Sequence, residues 1–214
     1  MAISRAKVVD SNFIECVQGL SAAQNRCDLG DSIRPGFRMT GREAVRIFES
    51  MIISRQLDLT SRELKAEGQS FYTIGSSGHE CNATVAAASR PTDPAFLHYR
   101  SGGFFIERSK QLPNQTPAFD VLLGIVASSD EPIAGGRHKV FGSTDLWIPP
   151  QTSTIASHLP KAVGAAFMLG RQHRMGLSSP IPDDSVALCS FGDASSNHAT
   201  ACTAFNAAAM ATHQ

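Results

Sequence analysis

Hydrophobic side chains recur near helical spacing after residue 40, and they predict a helix. The apolar positions on its face are Val45, Phe48, Ile52 and Leu59. Thr40 stands where an N-cap is expected, and Glu43 follows three residues later, as in a capping box. Gly68 is the expected end of this helix.

Three further segments have the composition of helices. Residues 78–91 are rich in small side chains, and residues 118–128 have an amphipathic pattern. Residues 159–176 place Pro160 at a first helical position. Gly164, in the middle of that segment, would let another backbone approach closely.

Two shorter segments are typical of strands. Residues 95–100 are strand-like, and residues 185–191 predict a fully buried strand that ends just before Gly192 and a final helix. The order helix, buried strand, glycine-containing turn and helix favours a doubly wound parallel α/β sheet. Between the two strand-like segments, residues 135–160 form a long stretch rich in Gly, Pro, Ser and Thr, and such stretches are usually functional or disordered.

Composition narrows the class of protein. A chain of 214 residues, 42% of them hydrophobic, can bury the core of one large or two small domains. Lys and Arg number 19, as do Asp and Glu, so charge gives no reason to expect nucleic acid or a membrane as partner. We find no signal peptide or membrane-spanning run and expect a cytoplasmic protein. The cysteines are odd in number and contain no CxxC pair, which favours reduced thiols and no zinc site: Cys16, Cys27, Cys81, Cys189 and Cys202.

The turn "GDASSN", residues 192–197, follows the buried strand and has the residues of an anion site. Gly192 would permit a sharp turn, and the backbone N–H groups of Ala194 and Ser195 could hold a phosphate. Asp193 suits a divalent cation that neutralises a diphosphate. The alternative is that Asp193 only caps the final helix.

In this context, the chain resembles the α subunit, or the α half of a fused chain, of the thiamine-diphosphate-dependent 2-oxo acid dehydrogenases. The resemblance runs from about Thr40 to His213, with the branched-chain type nearest, and rests on motifs found in the family's order. They are the Arg-x-x-Asp helix in "SRQLDLTSRELKAEG", the turn "GSSGHE", and the segments "LHYRSGG", "GGRHKVFGS", "TSTIASHLPKAVGAA" and "GDASSNHATACTAFNAAA".

The resemblance implies a thiamine-diphosphate-binding α/β fold, with a parallel sheet flanked by helices. Residues 1–37 would form a helical N-terminal arm, and residues 38–214 the N-terminal part of the cofactor-binding domain. The asparagine that completes the family's magnesium site would fall beyond Gln214, as would the loop with the α-side catalytic histidine. We therefore expect an incomplete fold, about the first half of an α subunit, with no catalytic residue of its own.

The family motifs also imply site residues. Tyr99 and Arg100 would contact the diphosphate, and a guanidinium suits phosphate because it can donate two parallel hydrogen bonds. Asp193 would bind Mg²⁺, while Ala194 and Ser195 would give backbone donors to the phosphate.

A second group would lie by the aminopyrimidine of the cofactor, namely Ser153 and Ile155. The bulky Ile155 would support the bent shape of the cofactor, and plain core packing is the alternative for it. Four histidines are tempting as acid–base groups, but lone histidines are more often structural: His79, His98, His138 and His158. Of these, His98 is the one that we expect to face the substrate.

The resemblance implies oxidative decarboxylation of a small 2-oxo acid, with transfer of the acyl group to a lipoyl carrier. The implied partners are a β subunit or β half, in an α2β2-type assembly, and a lipoyl-bearing acyltransferase core. Two other functions stay open. One is a non-catalytic interaction or assembly fragment of the same fold. The other is a GDS-type serine esterase, against which count Ala194 after Asp193 and the position of the motif near Gln214.

Overall fold

The computed structural model describes residues 4–21, 28–71, 73–150 and 153–211. The chain divides into two compact units, Met1–Arg46 and Ile47–Gln214. The helices are α1 Arg5–Gln18, α2 Gly41–Ala66, α3 Asn82–Ala87, α4 Gly102–Ser109, α5 Pro117–Ile125, α6 Leu159–Leu169 and α7 Ala199–Ala211. The strands are β1 Ala95–Phe96 and β2 Leu188–Cys189, and a 3-10 helix, Asp193–Asn197, precedes α7.

In the first unit, the predicted capping box is confirmed. The Thr40 N–H donates to Glu43 Oε2 at 2.8 Å, and the Glu43 N–H donates to Thr40 Oγ1 at 3.3 Å. These two bonds satisfy backbone donors that the first turn of a helix leaves without partners. At the other end of α2, in the second unit, Gly68 has φ +77°, which fits its predicted role as the residue that ends the helix.

The predicted hydrophobic face of α2 is wrong in its first half, whereas Ile52 and Leu59 are half-buried. Val45 is 58% exposed and Phe48 is 50% exposed. The buried positions of this helix are instead Ile47, Ser50, Ser54, Leu57 and Ser61. Small serines allow a close approach, because a Cβ added at Gly102 would lie only 2.5 Å from Ser54 Oγ.

The core of the second unit gathers α2, α3, β1, α4, α5 and the long loop after α5. Its buried members are Leu57, Ala86, Ala95, Leu97, Phe104, Phe105, Ile106, Val121, Ile125, Phe141, Leu146 and Ile148. Helix α4, which was not predicted, is buried along all eight residues. Its Gly102-Gly103 pair is typical of a loop, yet a Cβ at Gly103 would lie 2.6 Å from the Glu80 carbonyl oxygen. Glycine therefore serves here for close packing.

The sheet has two parallel strands among the described residues, with Ala95 opposite Leu188 and Phe96 opposite Cys189. Parallel pairing agrees with the predicted α/β class, although the structure is mostly helical. The predicted fully buried strand at residues 185–191 is wrong in extent and burial: β2 has two half-buried residues, and Val186 is 58% exposed. Each strand contributes few ladder bonds, and helices provide most of the core.

A smaller cluster joins α6 to α7 through Ala156, Leu159, Ala201 and Ala204. Gly164, predicted to admit another backbone, has no atom of the described chain within 4 Å of an added Cβ. Four cysteines are free thiols, three of them exposed; Cys27 lies outside the described residues. Within the described ranges, the helices are too short or too polar to cross a membrane.

Candidate cofactor-binding site

Five of the seven predicted site residues lie in the loops at the carboxyl ends of the two strands. Tyr99 and Arg100 follow β1, and Asp193 follows β2. Because parallel strands end at the same edge of a sheet, both loops begin side by side. The Ser190 N–H donates to the Phe96 carbonyl at 3.0 Å and extends the pairing beyond the strands.

Side chains reinforce this edge. The Ser190 hydroxyl lies 3.0 Å from the Ser101 hydroxyl, at the start of α4, and accepts a hydrogen bond from Asn82 Nδ2 at 3.1 Å, at the start of α3. His158 is 1% exposed, and its Nε2 donates to the Ser190 carbonyl at 2.8 Å. The start of α6 is thereby held at the end of β2. A neutral His158 therefore carries its proton on Nε2, and its buried Nδ1 has no hydrogen-bond partner among the described residues.

His98 lies at the centre of the edge and is 5% exposed. Its ring stacks on the His79 ring, with centroids 4.8 Å apart, and the centroid of the tilted Tyr99 ring lies 3.9 Å away. Burial, followed by the neighbouring His79, His158 and Arg100, lowers the pKa of His98 to about 4. The ring is therefore neutral near pH 7.

The hydrogen bonds of His98 also decide which nitrogen carries the proton. The Arg100 N–H donates to His98 Nδ1 at 3.3 Å, so the proton of the neutral ring lies on Nε2. A Cβ added at Gly192 would lie 3.5 Å from this Nε2. His98 thus directs a neutral hydrogen-bond donor at the turn that contains Asp193.

Arg100 is half-buried, and its position is fixed by two contacts. Its guanidinium donates to the Gly75 carbonyl at 2.6 Å and lies over the Tyr99 ring, 5.4 Å from its centroid. Burial lowers the pKa of the neighbouring His79, as does the charge of Arg100, while Glu80 and Asp193 oppose this shift. Arg100 and Asp193 thus stand on the two neighbouring loops that follow the paired strands.

The turn after β2 departs from the predicted geometry. Gly192 has φ −78° and ψ 151°, an extended conformation open to any residue, so the sharp-turn role predicted for this glycine is wrong. Because α7 begins at Ala199, Asp193 does not cap it. Asp193 and Ala194 are exposed, whereas Ser195 is 6% exposed and its N–H donates to the Gly192 carbonyl at 3.0 Å. That N–H is engaged in this conformation.

Ser153 and Ile155 form a separate group. Ser153 Oγ lies 3.2 Å from His138 Nε2, and no described hydrogen bond joins it to the other predicted residues. Ile155 is 52% exposed, which excludes the alternative that it packs in the core of the described chain. Both precede Ala156, which is buried against α7.

Sequence reasoning missed the polar support behind Arg100. Asp58 Oδ2 accepts hydrogen bonds from the Ser76 N–H at 2.7 Å and from the Ser76 hydroxyl at 2.8 Å. Lys139 lies nearby, and burial lowers its pKa to about 8. The signal was the Arg55-x-x-Asp58 pair in α2, to which no role was assigned.

A metal would need ligands beyond those described. Across residues 4–21, 28–71, 73–150 and 153–211, no group of three or more His, Cys, Asp or Glu side chains is placed to hold an ion. Asp193 would be one carboxylate ligand, and Mg²⁺ commonly combines one or two carboxylates with water and substrate phosphates. An exposed carboxylate on the loop beside that of a fixed guanidinium fits a cation bound to a diphosphate.

Comparison with known proteins gives consistent results. The family model of the dehydrogenase E1 component matches residues 48–214. The 2-oxoisovalerate dehydrogenase subunit alpha of Bacillus subtilis is 28% identical over 74% of this chain and 45% of its own length. The 2-oxoisovalerate dehydrogenase subunit alpha 2 of Arabidopsis thaliana is 28% identical over 78% of this chain and 33% of its own length. The 2-oxoisovalerate dehydrogenase subunit alpha of Mus musculus is 25% identical over 78% of this chain and 35% of its own length. The chain spans between 33% and 45% of the length of these relatives.

Proposed function

This chain belongs to the dehydrogenase E1 component family, and on that premise we propose that it contributes to the thiamine-diphosphate-dependent oxidative decarboxylation of a 2-oxo acid, with acyl transfer to a lipoyl carrier. The relatives named as 2-oxoisovalerate dehydrogenase alpha subunits support an α-type, branched-chain-like component. The finer fold proposed is the first part of a thiamine-diphosphate-binding α/β domain. The parallel pairing of β1 and β2 supports it.

The observation that carries the proposal is that His98 joins the two loops at the carboxyl edge of the strands. Its Nδ1 accepts from the Arg100 N–H, and its Nε2 lies 3.5 Å from a Cβ added at Gly192, the residue before Asp193. A diphosphate and a divalent cation need opposite charges on the protein side, and Arg100 and Asp193 supply them. Tyr99 lies against both Arg100 and His98, which gives the site a rigid aromatic wall.

When bound, thiamine diphosphate supplies the carbon nucleophile and the electron sink that decarboxylation of a 2-oxo acid requires. The residues of this chain would hold its charged end. Arg100 would bind the diphosphate, Asp193 the Mg²⁺, and the Ala194 and Ser195 N–H groups the phosphate oxygens. Because the Ser195 N–H donates to Gly192, phosphate binding by this N–H requires a local change in the turn.

His98 would be a donor rather than a base. Its neutral ring and its Nε2 proton suit a hydrogen bond to an oxygen of the substrate or the cofactor beside Gly192. Ser153 and Ile155 would approach the aminopyrimidine when the segment before α6 meets the cofactor. The exposure of Ile155 leaves its side chain available for that contact.

We propose further that a β subunit or β half and a lipoyl-bearing acyltransferase core complete the assembly, in the α2β2 arrangement implied by the family. Among the described residues, Asp193 is the only carboxylate of the predicted cation site, and further ligands would have to come from elsewhere. This chain alone should therefore bind the cofactor poorly and lack activity. A cytoplasmic location remains a prediction.

The proposal is tested by calorimetric titration of thiamine diphosphate with Mg²⁺ into the chain assembled with its β partner. Arg100→Ala should weaken binding at least about tenfold, because a charge-assisted contact to phosphate is lost. Asp193→Asn should weaken the dependence on Mg²⁺. The exposed Arg174→Ala serves as the matched control and should bind as the unmodified chain does.

Equal affinity for the Arg100→Ala variant and the unmodified assembly would refute the assignment. Assay of that assembly with pyruvate, 2-oxoisovalerate and 2-oxoglutarate and an artificial electron acceptor identifies the substrate. Cofactor binding without turnover of any 2-oxo acid would favour the interaction fragment. Labelling of Ser195 by a fluorophosphonate probe would favour the esterase.

A further inference from the structure

A hydrogen-bonded turn connects Asp58, on α2, to Arg100 after β1. Both donors of Ser76 end on Asp58 Oδ2, at 2.7 and 2.8 Å. Ser54, one turn earlier on α2, donates its hydroxyl to the Ser76 hydroxyl at 3.0 Å. Two side chains of one rigid helix therefore determine where Ser76 lies.

The same turn presents the carbonyl that holds Arg100. Gly75 directly precedes Ser76, and its oxygen accepts from the Arg100 guanidinium at 2.6 Å. Asp58 leaves no room for a side chain there, because a Cβ at Gly75 would lie 2.8 Å from Oδ2 and 2.9 Å from Cγ. The carboxylate thus fixes the turn through both hydrogen bonding and packing.

The carboxylate of Asp58 is surrounded by protein groups and by positive charges. Asp58 and Arg100 line one cavity of about 20 Å³ together with Tyr99 and Lys139, a volume close to that of a single water site. Burial raises the pKa of Asp58, opposed by the Ser76 hydrogen bonds and by the positive charges of Lys139 and Arg55. Arg55 Nη1 lies 3.7 Å from Oδ2 and donates to the Ser77 hydroxyl.

We propose that Asp58 is a positioning residue that fixes the Gly75–Ser76 turn and, through the Gly75 carbonyl, aims the Arg100 guanidinium. This inference rests on the proposed function for the ligand of Arg100, but the aiming itself is a property of the chain. A guanidinium held by one carbonyl keeps its remaining N–H groups available to a phosphate. Without Asp58, Arg100 would sample other rotamers and bind an anion less well.

The test compares Asp58→Ala with Asp58→Asn in the assembly with the β partner. Alanine removes the acceptor of both Ser76 bonds and should weaken thiamine diphosphate binding about tenfold, within the range of coupling between neighbouring groups. The turnover number at saturating cofactor should stay unchanged. The Asn oxygen can still accept both bonds, so Asn should retain most of the affinity. Glu63→Ala, an exposed acid on the same helix, is the control.

A double-mutant cycle separates positioning from general structural damage. In the Arg100→Ala background, Asp58→Ala should add little further loss of cofactor affinity, because its effect passes through Arg100. Additive losses would overturn the inference, as would equal loss in the Ala and Asn variants. Should Asp58→Ala not fold, Gly75→Ala displaces the same contact from the other side and should reproduce the loss.

A second measurement on the chain itself needs no cofactor. Modification of Arg100 by phenylglyoxal, followed by peptide mass spectrometry, should become several-fold faster in Asp58→Ala and stay unchanged in Glu63→Ala. An unchanged rate in Asp58→Ala overturns the inference. If the unmodified assembly binds no thiamine diphosphate, the proposed function fails, whereas the reactivity of Arg100 still decides whether Asp58 positions it.

Discussion

Replacing Gly103 by alanine should destabilise the chain, whereas the same change at Gly164 should stabilise it. Both glycines lie in helices, α4 and α6, so the intrinsic gain in helix propensity has the same sign at each. What differs is the space around the new Cβ. At Gly103 it would lie 2.6 Å from the Glu80 carbonyl oxygen and 3.3 Å from Glu80 C and Cα. At Gly164, no atom of the described chain lies within 4 Å.

The magnitude follows from these distances. The obstacle at Gly103 is backbone, which has no rotamer to change, so relief requires moving α4 from the residues just before α3. Overpacking of a buried site costs typically 1–3 kcal/mol, and we take about 3 kcal/mol for a rigid neighbour. Alanine regains about 1 kcal/mol of helix propensity over glycine. The expected net loss is about 2 kcal/mol for Gly103→Ala, against a gain of about 1 kcal/mol for Gly164→Ala.

Urea unfolding of the 214-residue chain, followed by far-ultraviolet circular dichroism, measures both variants. The unfolding midpoints should move in opposite directions at an unchanged slope, since the surface exposed on unfolding is the same. In thermal unfolding, each kcal/mol corresponds to about 2–4 °C for a domain of this size. A midpoint for Gly103→Ala at or above that of the unmodified chain would refute the close contact between α4 and Glu80.

Three other predictions concern titration, reactivity and burial. The pKa of His98 is about 4 in the folded chain and near 6.5 in the unfolded chain, so the unfolded state binds more protons between these pH values. The free energy of unfolding should therefore fall as pH drops from about 6.5 to 4, and urea unfolding of His98→Gln should show a weaker dependence on pH. Burial raises the pKa of Cys189 to about 11, so mass spectrometry should show iodoacetamide alkylating it far more slowly at pH 8 than the exposed Cys202. Arg108 is fully buried and donates to two backbone carbonyls and a serine hydroxyl, so Arg108→Ala should lower the unfolding free energy by about 3 kcal/mol; a loss below about 1 kcal/mol in urea unfolding would contradict its structural role.

Local signals in the sequence were sufficient for several elements. Thr40 and Glu43 form the predicted capping box because its donors and acceptors lie within four residues of each other. Pro160 stands at the start of α6, as predicted, where a missing N–H costs nothing. Six motifs in the family's order, among them those around Arg100 and Asp193, were enough to indicate the family, and the family model confirms it.

The sequence did not predict which side chains of helices α2 and α4 are buried. The pattern of α2 favours Val45 and Phe48 as inward residues, but the neighbours of the helix bury its serines. The Gly102-Gly103 pair did not predict a helix, because glycine is unusual there. The close approach of Glu80, which explains the need for glycine at residue 103, is known only from the structure. In both cases the relevant partner lies far along the chain, where spacing within one segment carries no information.

The candidate site shows the same division. The sequence by itself determined the family and indicated candidate residues for a diphosphate and a cation, since charge, donor groups and motif order belong to the residues themselves. The tertiary structure decided that Arg100 is held by the Gly75 carbonyl, that His98 is neutral with its proton on Nε2, and that Asp58 stands behind the turn. These properties depend on burial and on contacts between distant segments, which arise only when the parallel strands and α2 come together.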